Sequence, residues 1–159
     1  SLADGNNAIA IGQAAHATAE GDIVINNGVK NVIEYDKSDD EFTFNTDLTI
    51  SGSVVGEVNV ISDAAGTTTM DCSTSNFFTL AMPAGGTTVL TPSNIQIGQT
   101  ISVKITQNAT ASTLTFAASI DFEGGTAFTI STGAAAVDVM TFISFDGTTL
   151  QATGLTNFS

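Results

Sequence analysis

The chain has 159 residues, 42% of them apolar and only 12% charged, with a net charge of −13 from sixteen acids against three Lys. There is no Arg and no Trp, which argues against nucleic acid and against anionic membrane surfaces, since both are held by Lys and Arg. A single Cys leaves no intrachain disulfide, and no apolar run approaches the ~18 residues needed to span a bilayer.

Thr is the commonest residue, and with Ile it favours pleated surfaces because both are stiff at the first side-chain torsion. Apolar spacing of three and four is almost absent, so the chain reads as strand and turn. The best helical stretch, Gly133-Ala134-Ala135-Ala136-Val137, supplies one turn at most.

Ala8-Ile9-Ala10-Ile11-Gly12 returns fourteen residues later as Asp22-Ile23-Val24-Ile25-Asn26. The β-branched residues stand two apart in each copy, which places them on one face of a strand. A fourteen-residue return allows a strand, a turn and a second leg, the unit of a stacked β-roll. Such a coil cannot bury its apolar face alone, so Ile9, Ile11, Ile23 and Ile25 are expected to pack against sister copies.

Asn31 to Asp36 and Glu41 to Asn45 read as a β-hairpin with an acidic tip. Asp36, Ser38 and Asp40 place oxygens at positions one, three and five, as calcium loops do. The Gly at position six and the distant Glu are missing, so a solvated tip competes with a weak calcium site. Short strands continue through Leu48-Thr49-Ile50 and the Val54 to Val60 stretch. Eleven of the sixteen acids lie at or before Asp63, and eight of the ten Phe lie beyond it. The expected organisation is a shaft or stem segment over 1–63 and a second domain over 64–159, divided near Ala64-Ala65-Gly66.

In the second domain, strands are expected near Thr67–Cys72, Asn76–Ala81, Thr87–Thr91, Gln99–Thr106, Ser112–Ala117, Ala127–Ile130, Asp138–Phe145 and Thr148–Thr153. Their spacing, with Gly, Pro or Asn between them, predicts an antiparallel, jelly-roll-like β-sandwich. Gln99–Thr106 alternates with Ile101, Val103 and Ile105 inward. Asp146-Gly147 is the strongest turn signal. Asp138–Phe145 carries apolar residues on both faces. Either it is a central strand covered on both sides, or one face meets another subunit. The second reading names Val139, Phe142, Ile143 and Phe145 as interface residues.

Chemistry-bearing residues are sparse. Asp121 and Glu123 share a strand face, but Gly124-Gly125 follows at once and no Arg or Trp exists to line a sugar cleft. His16 is the one His, too few for a zinc site or a catalytic triad. Cys72 reads as a buried small side chain. Asn108-Ala109-Thr110 and Asn157-Phe158-Ser159 read as polar turns. No catalytic residues and no cofactor are expected.

Three segments carry resemblances. The Ala8 to Gly12 pattern with its return resembles the head repeats of trimeric adhesins, left-handed β-rolls around a threefold axis. Asn31 to Gly56, with Phe42-Thr43-Phe44 and Asp47-Leu48-Thr49-Ile50-Ser51-Gly52, resembles stem segments of bacteriophage tail fibres. Asn76-Phe77-Phe78-Thr79-Leu80 onward is similar to a module of marine-phage fibres and surface proteins. Its close is the most specific part: Ala136 to Phe142, Phe145-Asp146-Gly147-Thr148, then Asn157-Phe158-Ser159. Where that group carries an aromatic pair after the turn, this chain has Leu150-Gln151. The order of segments implies a virion appendage on the particle surface, a homotrimer with other virion proteins and host-surface glycan as partners. A bacterial adhesin or filament subunit and a capsid decoration protein are the alternative readings.

Overall fold

The computed structural model describes residues 33–36, 41–44, 47–62 and 65–158. The fourteen-residue echo lies outside the described residues, as do Ser38 and Asp40. The chain forms two compact units, Ser1–Val54 and Val55–Ser159. In the first, β1 (Ile33–Asp36) pairs antiparallel with β2 (Glu41–Phe44), with Ile33 opposite Phe44 and Asp36 opposite Glu41.

The second unit is built from two β-sheets. Its first six strands are β3 (Val58–Ile61), β4 (Gly66–Asp71), β5 (Phe77–Ala81), β6 (Thr87–Ser93), β7 (Thr100–Thr106) and β8 (Thr113–Phe116). They alternate between the sheets, so the chain winds. β3, β5 and β7 lie parallel in a larger sheet, and β4, β6 and β8 lie parallel in a smaller one. β9 (Ile120–Phe122) then returns to the larger sheet at its far edge. β10 (Val137–Ile143) and β11 (Leu150–Leu155) fill the space between, giving the order β3-β5-β7-β10-β11-β9. β10 is antiparallel to both neighbours, while β11 is parallel to β9.

The expectation of a uniformly antiparallel, jelly-roll-like sandwich is therefore corrected: the sheets are mixed, and most strand pairs are parallel. The physical cause lies in the corners. Each short connection carries the chain across to the opposite sheet instead of turning it back beside itself. Period-two alternation sorts inward from outward residues equally well in either direction, so it is silent on strand direction.

The core lies between the sheets. Ile101, Val103 and Ile105 of β7 point inward against Phe78 and Leu80 of β5, Met70 and Leu90 of the smaller sheet, and Met140 and Phe142 of β10. The two sheets differ in width by three strands, so β10, β11 and β9 have no facing strand. The irregular segment from Thr126 to Ala136 covers them instead. Phe128 lies flat on Gly154 of β11: a Cβ there would sit 2.5 Å from the ring. Ile130 is buried beside it. The strand expected over Ala127–Ile130 is thus corrected to a loop whose apolar residues replace missing sheet, and β9 takes the place of a strand the periodicity did not reveal.

Buried polar groups tie the winding together. Gln107 donates from Nε2 to the carbonyls of Ser112 (2.9 Å) and Ser131 (3.1 Å). Its Oε1 accepts from the backbone N–H of Asn108 and of Ser112, both at 3.0 Å. Asp138, wholly buried on the inner face of β10, accepts from Ser131 N (2.6 Å), Ser131 Oγ (2.8 Å) and Asn157 N (2.9 Å). One carboxylate therefore fixes both the covering loop and the tail that follows β11. Among the described residues no buried side-chain nitrogen or oxygen lacks a partner.

Candidate functional site

The outer face of the larger sheet is the most distinctive surface of the second unit. Because side chains alternate, the inward set of each strand fixes its outward set. Opposite Ile61 on β3 stand Val58 and Val60, and opposite Phe78 and Leu80 on β5 stand Phe77 and Thr79. β7 turns out Ser102 and Lys104, β10 turns out Val139, Thr141 and Ile143, and β11 turns out Thr153 and Leu155. Register joins these into rows: Val58, Phe77, Ser102, Thr141 and Thr153 form one, and Val60, Thr79, Lys104, Val139 and Leu155 the next.

The face is apolar at both flanks. Val58, Val60 and Phe77 are 56%, 77% and 46% exposed, and Leu155 is 67% exposed. A sheet face that meets water normally carries polar residues. Among the described residues the charges on the outer face are Lys104 near its middle and Asp121 and Glu123 at its β9 edge. Asp121, Glu123, Thr141, Ile143, Gln151 and Thr153 border a shallow depression of about 390 Å³ at that edge.

The expected interface residues divide across β10. Val139 and Ile143 lie on this outer face, Val139 half-buried and Ile143 exposed. Phe142 is wholly buried and belongs to the subunit's own core. Phe145 is exposed but lies past the end of β10, in the turn region. Ile9, Ile11, Ile23 and Ile25 fall outside the described residues. Sequence reasoning passed over Val58, Val60, Phe77 and Leu155. The signal was present in the adjacent pair Phe77-Phe78 and in the Val54 to Val60 stretch, which set apolar residues on both faces as Asp138–Phe145 does.

A second concavity, about 810 Å³, opens beside β8 under the covering loop. Leu114, Phe116, Phe122, Phe128 and Ile130 line it. Phe116 and Phe122 meet edge to face, with centroids 4.8 Å apart. Thr113 N and Ala117 N donate to Gly86 O and Leu90 O of the β6 side, at 2.9 and 3.0 Å. Leu114 and Phe116 therefore direct their backbone groups to the free edge, beside this groove.

Two carboxylates, Asp71 and Asp146, hold turns. Asp71 accepts from Asn94 Nδ2 (2.9 Å) and from Ser73 Oγ (2.7 Å) and N (3.1 Å), and these bonds hold its carboxyl below the usual range. Asp146 accepts from Thr149 Oγ1 (2.6 Å) and from Thr148 N and Thr149 N (both 2.7 Å), which likewise depresses it. That turn also places Gly147 at φ 74°, where a side chain is strained. Burial pushes the Cys72 thiol up to about 11, so it stays protonated at neutral pH. Asp121 and Glu123 are both exposed: Asp121 sits on β9 opposite Gln151, and Glu123 opens a one-turn 3₁₀ segment. Asp36, at the end of β1, is the described member of the calcium trio. Among the described residues no three His, Cys, Asp or Glu side chains gather. In comparison with known proteins, no family model and no curated sequence matches this chain.

Proposed function

We propose that this chain is a non-enzymatic structural subunit of a multi-copy surface appendage, a bacteriophage tail fibre or a similar virion part. The observation that carries this reading is the apolar outer face of the larger sheet, on a module whose strands wind between two layers. Wound sheets with an uncovered face complete their burial by stacking or by association. In the proposed assembly three copies share one axis, other virion proteins hold the base, and the particle surface is the location. Identical tips would engage host-surface glycan through several weak sites at once, with a gain in avidity of ~10²–10⁴ from linkage alone.

A second reading, a bacterial adhesin or filament subunit, rests on the fourteen-residue echo near the start, which resembles adhesin heads. A capsid decoration protein is the third. Gold-conjugated antibody against the chain, imaged on particles and cells from the source culture, separates them. Gold on fibres or tails supports the first reading. Gold on cell envelopes or on capsids moves the assignment to the second or third, and gold on none of these overturns all three. A depolymerase would release oligosaccharide from host capsule or lipopolysaccharide; release by the purified chain would overturn the non-enzymatic reading.

A further inference from the structure

We infer that the outer face of the six-stranded sheet is a homotypic interface, covered by the same face of a second copy of this chain. The inference rests on the multi-copy part of the proposed function and is independent of its virion part.

Charge chooses the occupant. The chain carries −13 overall, yet this face carries Lys104 and, at its β9 edge, Asp121 and Glu123, a net of −1 among the described residues. Two copies repel through most of their surfaces, and least where this nearly neutral face meets its like. A basic partner would seek carboxylates, most of which lie elsewhere on the chain, and an acidic partner would find Lys104 alone. Apolar content points the same way. Val58, Val60 and Phe77 on one flank and Val139, Ile143 and Leu155 on the other leave Lys104 and the hydroxyls between them.

Area is sufficient. Six strands about 4.8 Å apart and about 20 Å long give a footprint of about 500 Å² before side-chain relief is counted. That approaches the ~800 Å² per partner of a standard interface.

The test is sedimentation velocity on the full chain at low micromolar concentration. The wild type is expected at a multiple of 16.2 kDa. Val60→Asp combined with Leu155→Asp is expected to return it to 16.2 kDa, with an unchanged circular dichroism spectrum because both side chains are exposed. Ile97→Asp, exposed but off this face, is expected to keep the wild-type mass. Added salt screens the net repulsion, so association tightens several-fold between about 50 and 500 mM NaCl. A monomeric wild type overturns the inference, and so does an oligomer that survives the double variant. Association that weakens with salt overturns it too, because charge pairing would then hold the copies. A gold-labelled fibre with a monomeric chain would sink this inference and leave the appendage; an oligomer with unlabelled particles would do the reverse.

Discussion

The two faces of the larger sheet are made from similar residues and do different work. Inward, Ile101, Val103, Met140 and Phe142 are sealed by the smaller sheet and the covering loop. Outward, Val58, Val60, Val139, Ile143 and Leu155 stand at the same pitch on the same sheet with no second layer over them among the described residues. β10 joins the two faces in one run: Met140 and Phe142 inside, Val139 and Ile143 outside. Apolar character alone therefore does not separate a core from an uncovered face. What separates them is which side of the sheet the chain itself goes on to cover.

The largest expected effect sharpens that contrast. Phe142→Ala should cost about 3–5 kcal/mol of unfolding free energy, the usual result of emptying a sealed aromatic site. Ile143→Ala, one residue along, should change the stability of the isolated subunit by less than about 0.5 kcal/mol. Its effect should appear instead as a weaker dependence of the melting midpoint on protein concentration. Denaturant unfolding of both variants at two concentrations checks this, and equal losses would erase the distinction between the faces.

Asp138→Ala comes next, at about 2–3 kcal/mol, because Ser131 and Asn157 lose a buried acceptor. Hydrogen exchange should show the 126–136 segment loosening while β5 and β7 keep their protection. Gly154→Ala should cost about 1–2 kcal/mol by pushing Phe128 off β11, an overpacking effect. The smallest effect belongs to Asp146→Ala in the turn after β10. The folded carboxyl is held below its ordinary value, so its contribution is complete above the ordinary carboxylate range, about pH 4. It is lost as pH falls through the folded value. Thermal melts should show the gap between wild type and Asp146→Ala at pH 7 and its closure in acid; a gap that widens in acid would contradict the assignment.

Much of the strand layout was legible in the sequence, because burial on one side imposes alternation. Gln99–Thr106 places Ile101, Val103 and Ile105 where the pattern did, and Asp146-Gly147 marks a turn. Strand direction was not legible. A wound fold betrays itself by a fixed period, and here the partners Val58 and Phe77 are 19 residues apart, Phe77 and Ser102 are 25, and Thr87 and Thr113 are 26. Corners of unequal length erase the repeat. Ala127–Ile130 misled for a related reason: Phe128 and Ile130 are spaced as in a strand because both face the core, yet they do so from a loop. The outer face was half legible. Asp138–Phe145 announced apolar residues on two sides, but pattern alone did not tell Phe142 from Ile143, and the β3 and β5 flank needed the register to bring it alongside β10.

The most direct test of the outer face is hydroxyl-radical footprinting of the full chain across a range of protein concentrations. Val58, Val60, Phe77 and Leu155 should lose reactivity together as concentration rises, while Ile97 and Phe145 stay constant. Reactivity at those four positions that does not change with concentration would contradict the account.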